Sequence, residues 1–125
     1  MNEMFWVMGM GAIGALSRFG VTKLADQAFG DKFPYGTLIA NLAGCLVIGF
    51  IMSVAAKLPV PKHVISGVVV GYLGALTTFS SFGFATFDLF KGGALVPALV
   101  NIGLNVVFGL LAVWLGVHMG RIVIG

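Results

Sequence analysis

The sequence predicts an all-α integral membrane protein, with four transmembrane helices in one domain and a break in the third. Three observations carry this expectation. Of 125 residues, 59 % are hydrophobic and only 9 % are charged, with a mean hydropathy of +1.09, whereas soluble domains carry about 25 % charged residues. Four apolar segments each approach or exceed the roughly 20 residues that a membrane-spanning helix needs. The third contains Gly71-Tyr72-Leu73-Gly74-Ala75-Leu76-Thr77-Thr78-Phe79-Ser80-Ser81-Phe82, where two pairs of adjacent hydroxyl residues interrupt the apolar pattern. In lipid each free backbone N–H or C=O costs several kcal/mol, so irregular backbone persists only where protein, ion or water satisfies it. Thr77, Thr78, Ser80 and Ser81 can supply such partners, so the stretch reads as a broken helix near mid-membrane that lines a site.

Taken in order, the first segment is residues 4–24, rich in glycine at Gly9, Gly11 and Gly14. Met1-Asn2-Glu3 has no basic run, so this segment is read as a retained helix and not a cleaved signal peptide. Residues 25–34, with Asp26, Asp31 and Lys32, read as a polar loop. The second segment, 35–56, opens just after Pro34. Lys57-Leu58-Pro59-Val60-Pro61-Lys62 is a turn, since two prolines and two lysines do not continue a helix in lipid. The third segment spans 63–90, with its break placed near 74–80, and Gly92-Gly93 closes the next turn. The fourth, 94–121, has Pro97 in its first turn, where a missing N–H costs little. Gly67/Gly71 and Gly116/Gly120 are small pairs four apart that let helix backbones approach closely.

Charge bounds the partners and the topology. The net charge is +3 with no basic cluster, so nucleic acid is not an expected partner. Cys45 is the single cysteine and lies in an apolar segment, which excludes an internal disulfide framework. With four helices both termini lie on one side. That side holds Lys57, Lys62 and Arg121, against Lys23, Lys32 and Lys91 on the other. Orientation follows the Lys/Arg bias, and three against three is none. The balance predicts insertion in both orientations and pairing of opposite copies, as an antiparallel dual-topology homodimer. A tag-accessibility assay that finds one orientation removes this expectation.

A small set of polar and aromatic residues can carry chemistry within the segments. Arg18 lies two-thirds along the first. A central arginine costs roughly 2.5–3.5 kcal/mol on insertion scales, so it either snorkels to the nearer surface or faces a watery vestibule that gathers anions. Thr37 and Asn41 are four apart and share a helix face; a membrane amide either glues helices together or donates to an anion without adding charge. Asn101 and Asn105 form a second such pair, which with Gly109 reads as a helix contact or as the wall of a pathway. Phe79 and Phe82 are three apart. Phenylalanine in a membrane helix ordinarily packs in the core or against lipid, but here the rings sit among hydroxyls. Aromatic rings have positive edges, and a small, strongly hydrated anion needs weak, multi-point replacement of its water to enter a pore and still leave it.

Gly36-Thr37-Leu38, Asn41 and Gly44, followed by Gly71, Gly74 and Thr77-Thr78-Phe79-Ser80-Ser81-Phe82, with Gly11, Gly14 and Arg18 before them, resemble the Fluc (CrcB) fluoride channels. The resemblance covers the whole chain in length, segment number and motif order. It implies an antiparallel dimer with two fluoride pores, lined by Asn41 and by Phe79 and Phe82 contributed across the dimer. Ser81 and Thr37 match polar wall positions, and Arg18 matches the first-helix arginine; Asn105 is carried as a further pore-lining position although its residue type departs from the family. It further implies a structural sodium ion at the dimer centre, held by backbone carbonyls of Gly74 and Thr77. The chain departs from the family where some relatives carry a carboxylate after the second phenylalanine; here Gly83-Phe84-Ala85-Thr86 stands. On the fourth helix it has asparagines where relatives often have Ser, Thr, Tyr or His.

The expected function is therefore passive, selective export of fluoride across the plasma (inner) membrane, by a channel and not an enzyme. His63 and His118 lie at helix ends with no carboxylate or cysteine cluster beside them, so neither a metal site of side chains nor a nucleophile–base pair is suggested. Two alternatives remain. A proton-coupled exporter of the small multidrug resistance type needs a carboxylate within the first membrane helix, and the only glutamate is Glu3. A non-transporting assembly subunit would use the glycine faces but leaves the hydroxyls around Phe79 without a role.

Overall fold

The computed structural model describes residues 2–125. It is all-helical, and four stretches are long and apolar enough to cross a membrane: Asn2–Phe29, Tyr35–Ala55, Lys62–Lys91 and Leu95–Ile124. We label them α1 (Asn2–Phe29), α2 (Tyr35–Ala55), α3 (residues 62–76), α4 (Phe79–Lys91) and α5 (Leu95–Ile124), because two non-helical residues divide the third stretch. Thr77 (φ −82°, ψ 153°) and Thr78 (φ −151°, ψ 118°) are both extended. Within α3, Ser66–Leu73 is wound as a π-helix, and so is Leu104–Phe108 within α5.

α1 continues past Leu24, through residues the sequence suggested as loop. Ala25 is buried, and the helix stops only at Gly30, whose φ of 81° a residue with a Cβ rarely adopts. Polar residues such as Asp26 and Gln27 need not end a helix once it has left the apolar layer. Gly93, also at φ 81°, makes the corresponding turn between α4 and α5.

The helices pack through glycine. A Cβ on Gly14 would strike the Tyr72 carbonyl, and one on Gly71 would lie 2.8 Å from the Val7 carbonyl, so α1 and α3 lie backbone to backbone. Gly49, Gly116 and Gly120 do the same for α2 and α5, meeting Val113, Leu46 and Phe50. Both small pairs flagged in the sequence thus sit at helix contacts. Between these pairs lies a small core of Ala40, Leu73 and Leu76, with Val21, Ile48, Ile51 and Tyr72 against it. Most large apolar side chains instead face outward, among them Leu16, Phe84, Leu110 and Trp114, as lipid-facing surface requires. Gly116→Val is expected to destabilise the chain by about 1–3 kcal/mol through overpacking. Gly20→Ala, whose added carbon meets nothing within 4 Å, leaves the melting temperature in detergent at or above its original value.

Candidate functional site

The break between α3 and α4 is held by side chains that take backbone groups out of the helical ladder. In a continuous helix the Gly74 carbonyl accepts from the Thr78 N–H, and the Thr77 carbonyl from the Ser81 N–H. Here the Thr78 N–H donates to Asn41 Oδ1 at 2.8 Å, and the Ser81 N–H donates to Thr78 Oγ1 at 3.1 Å. The first bond comes from α2, across the bundle; the second is a helix N-cap that starts α4. Asn41 grips Thr78 from both sides, because its Nδ2 also donates to the Thr78 carbonyl at 3.2 Å. On the α3 side, Thr77 Oγ1 and the Thr77 N–H both donate to the Leu73 carbonyl, at 2.9 and 3.0 Å. The Thr77 methyl lies where a Cβ of Gly44 would be, so a glycine at 44 admits the break against α2.

Arg18 completes the end of α3. Its Nε donates to the Ala75 carbonyl at 3.1 Å. The ladder partner of that carbonyl, the Phe79 N–H, lies beyond the break. A cation at a helix C-terminus also complements the dipole. Neither sequence reading of Arg18, the snorkel or the vestibule, included this contact.

A cleft of about 360 Å³ opens at the break, lined by Asn41, Gly74, Thr77, Thr78, Phe79, Phe82, Asn105 and apolar neighbours including Cys45 and Val106. Six of the nine candidate site residues read from the sequence therefore share one cavity: Asn41, Gly74, Thr77, Phe79, Phe82 and Asn105; Arg18 does not line it. Thr37 and Ser81 are half-buried and do not line it; Ser81 contributes its backbone N–H to the cap, and Thr37 lies one turn before Asn41. The rings of Phe79 and Phe82 are 5.5 Å apart and tilted by 58°. Phe82 is buried, whereas Phe79 is 82 % exposed. A largely exposed aromatic at the mouth of a mostly apolar cleft with a few polar groups marks a surface that wants an occupant or a partner.

Polar groups behind the cleft form a network that the sequence did not expose. Asn41 Nδ2 donates to Asn105 Oδ1 at 2.9 Å, and Asn105 Nδ2 donates to Asn101 Oδ1 at 3.0 Å and to the Asn101 carbonyl at 2.9 Å. Asn101, 1 % exposed, donates to Thr86 Oγ1 at 2.9 Å, and Thr86 Oγ1 donates to the Phe82 carbonyl at 2.7 Å. Asn41 thus donates to two acceptors within the chain. It can donate to an anion only by releasing one of them. The sequence showed the Asn101/Asn105 pair; its one clue to Thr86 was a hydroxyl between phenylalanines on α4.

The family model described as "CrcB-like protein, Camphor Resistance (CrcB)" matches residues 5–117. The chain belongs to the CrcB family. Curated CrcB relatives match along nearly their whole length. A protein of a Geobacter species, named fluoride-specific ion channel FluC, is 39 % identical over 97 % of this chain and 98 % of its own. Proteins of the same name from Dehalococcoides mccartyi and Chloroflexus aurantiacus are each 42 % identical, over 98 % and 97 % of this chain and 95 % and 97 % of their own. With four helices able to span a bilayer, this CrcB chain is a multi-pass membrane protein. Its N-cap predicts one modest effect. Thr78→Val removes the acceptor for the Ser81 N–H and costs about 1 kcal/mol of α4 stability, seen as faster hydrogen exchange at that amide.

Proposed function

We propose that this CrcB protein is a passive, fluoride-selective channel that exports cytoplasmic fluoride across the plasma (inner) membrane. The observation that carries the reading is the joint one. The relatives that match it end to end are named fluoride-specific channels, and Asn41, Phe79, Phe82 and Asn105 line a single cleft. The physical logic is weak-acid trapping. Hydrogen fluoride crosses lipid as a neutral molecule and dissociates inside; a channel lets fluoride leave, driven by an inside-negative potential of about 2.3 kcal/mol per charge per 100 mV. The positive edges of Phe79 and Phe82 replace part of the ion's water without binding it tightly. Arg18, anchored on the carbonyl next to Gly74, contributes a positive charge to the approach.

The working form in this reading is an antiparallel dual-topology homodimer. Exposed Phe79 and the open cleft support it, because a second inverted copy would cover both and present its own rings to the first. A sodium ion fits the same arrangement. The Gly74 and Thr77 carbonyls have their ladder donors diverted to Asn41 and Thr78, both residues line the cleft, and hard cations take oxygen ligands. Gly74 and Thr77 of each copy would hold it, and when bound it would neutralise carbonyls that lipid cannot. A proton-coupled exporter is less well supported. Glu3 accepts from Ser66 Oγ at 2.7 Å and lies 3.9 Å from Lys62, at the end of the bundle and away from the cleft.

The test is efflux from liposomes holding only the purified protein. Fluoride efflux well above protein-free vesicles, with chloride retained, is the expected result. Equal rates for both halides, or none for either, would overturn the proposal.

A further inference from the structure

We propose that Thr86 and Asn101 are positioning residues. Neither lines the cleft, yet together they anchor, through Asn105, the network that holds the Asn41 amide at the break and fix α4, with Phe82, beside it. As a role in ion passage this rests on the fluoride reading above; as a statement about the polar network it does not.

The argument is one of hydrogen-bond polarity. The network runs from the Thr78 N–H through Asn41, Asn105, Asn101 and Thr86 to the Phe82 carbonyl. Its first group can only donate and its last can only accept. Each amide between them therefore has one permitted orientation along the relay, oxygen on the Thr78 side and nitrogen on the Phe82 side, with Asn41 Nδ2 also reaching back to the Thr78 carbonyl. A second contact reinforces this, since Asn105 Nδ2 also donates to the Asn101 backbone carbonyl, which can only accept. An amide is nearly symmetric in shape, so packing alone does not choose between its two flips; the ends of the chain do.

Asn101 and Thr86 are buried, and among the described residues no buried side-chain polar atom lacks a partner. A fully satisfied network in a low-dielectric interior is stiff, and loss of one member strands its neighbours. Thr86 is the joint that matters, because it ties the relay to the body of α4, whose N-cap Thr78 the relay meets at its other end. Its hydroxyl accepts from Asn101 on α5 and donates to the carbonyl of Phe82 one turn back. Asn105 sits on the π-wound stretch of α5, a winding that often accompanies functional sites. The relay thus couples the residue that opens the helix break to the helix that carries both rings.

Thr86→Val is nearly isosteric and removes only the hydroxyl. It is expected to assemble as the original chain does and to lower fluoride efflux per assembled channel about tenfold, the scale of one stranded buried hydrogen bond. Thr86→Ser, which keeps the hydroxyl, restores efflux to within about twofold. A second readout is independent of transport: the side-chain amide resonances of Asn41, assigned by their loss in Asn41→Asp, shift in Thr86→Val and return in Thr86→Ser. If Thr86→Val fails to assemble, Asn101→Leu, which keeps the branched shape at Cγ, takes the same measurements with the same expectations. Unmoved Asn41 resonances overturn the relay, whatever happens to efflux. Shifted resonances with unchanged efflux overturn the positioning role. Should the original chain pass no fluoride, the functional reading fails, and the Asn41 resonances alone then support or overturn the relay.

Discussion

Replacing Phe79 or Phe82 with isoleucine is expected to stop fluoride efflux from liposomes while the protein still assembles. The two halves of that expectation have separate physical grounds. Phe79 is 82 % exposed and meets Phe82 edge-on-tilt at 5.5 Å, so its removal opens no cavity inside the chain. Phe82 is buried, but isoleucine keeps the site apolar and most of its volume, and such exchanges cost about 1.5 kcal/mol or less. Transport is another matter, because isoleucine has no ring and so no quadrupole. A desolvated cation over a ring face gains about 2 kcal/mol or more, and an anion at the ring edge draws on the same charge distribution. Losing about 2 kcal/mol or more at one point of a narrow path slows passage by about thirtyfold or more. The measurement is fluoride release per assembled protein, with size-exclusion elution as the assembly control. Original rates in both variants would show that these rings only pack.

The two rings also show why part of the site is legible in the sequence. Four spans follow from apolar run length, and glycines four apart mark close helix contacts; both are local signals that lipid imposes directly. Thr77 and Thr78 stood out because hydroxyls adjacent in an apolar run have a reason to be there. Partners are another kind of information. Nothing local to residue 41 says that its amide caps residue 78, 37 positions away, nor that Arg18 donates to Ala75, 57 positions on. Those pairs exist because α1 and α2 pack beside α3, which is decided by glycines elsewhere. The bond between Thr86 and Asn101 was missed for the same reason: the two meet only because Gly93 turns α5 back along α4. The π-wound stretches are invisible to a 3.6-residue period. The extension of α1 to Phe29 was missed because charge was read as loop.

Asn41→Leu is the second large effect expected, and it follows from what Asn41 holds. The substitution removes a donor to the Thr78 carbonyl, the acceptor of the Thr78 N–H and a donor to Asn105. Leaving both Thr78 backbone groups unpartnered at about 1–3 kcal/mol each costs roughly 2–6 kcal/mol. The cheapest local remedy is the bond that Asn41 displaced. The Thr78 N–H returns to the Gly74 carbonyl, and α3 and α4 join. Two extended residues rise about 3.3 Å each and helical ones 1.5 Å, so closing the break draws α4 about 4 Å along its axis. That moves Phe79 and Phe82 out of register with the cleft and takes the Gly74 carbonyl away from any ion. The expected results are loss of efflux and a change of Thr77 and Thr78 backbone carbon shifts from extended to helical values. Asn41→Asp separates the two consequences. It keeps an oxygen for the Thr78 N–H and so keeps the extended shifts, but it places a carboxylate on the ion path proposed above, and efflux falls all the same. If Asn41→Leu retained extended shifts at both threonines, the break would be held by α3 and α4 themselves, and the amide would be only a lining group.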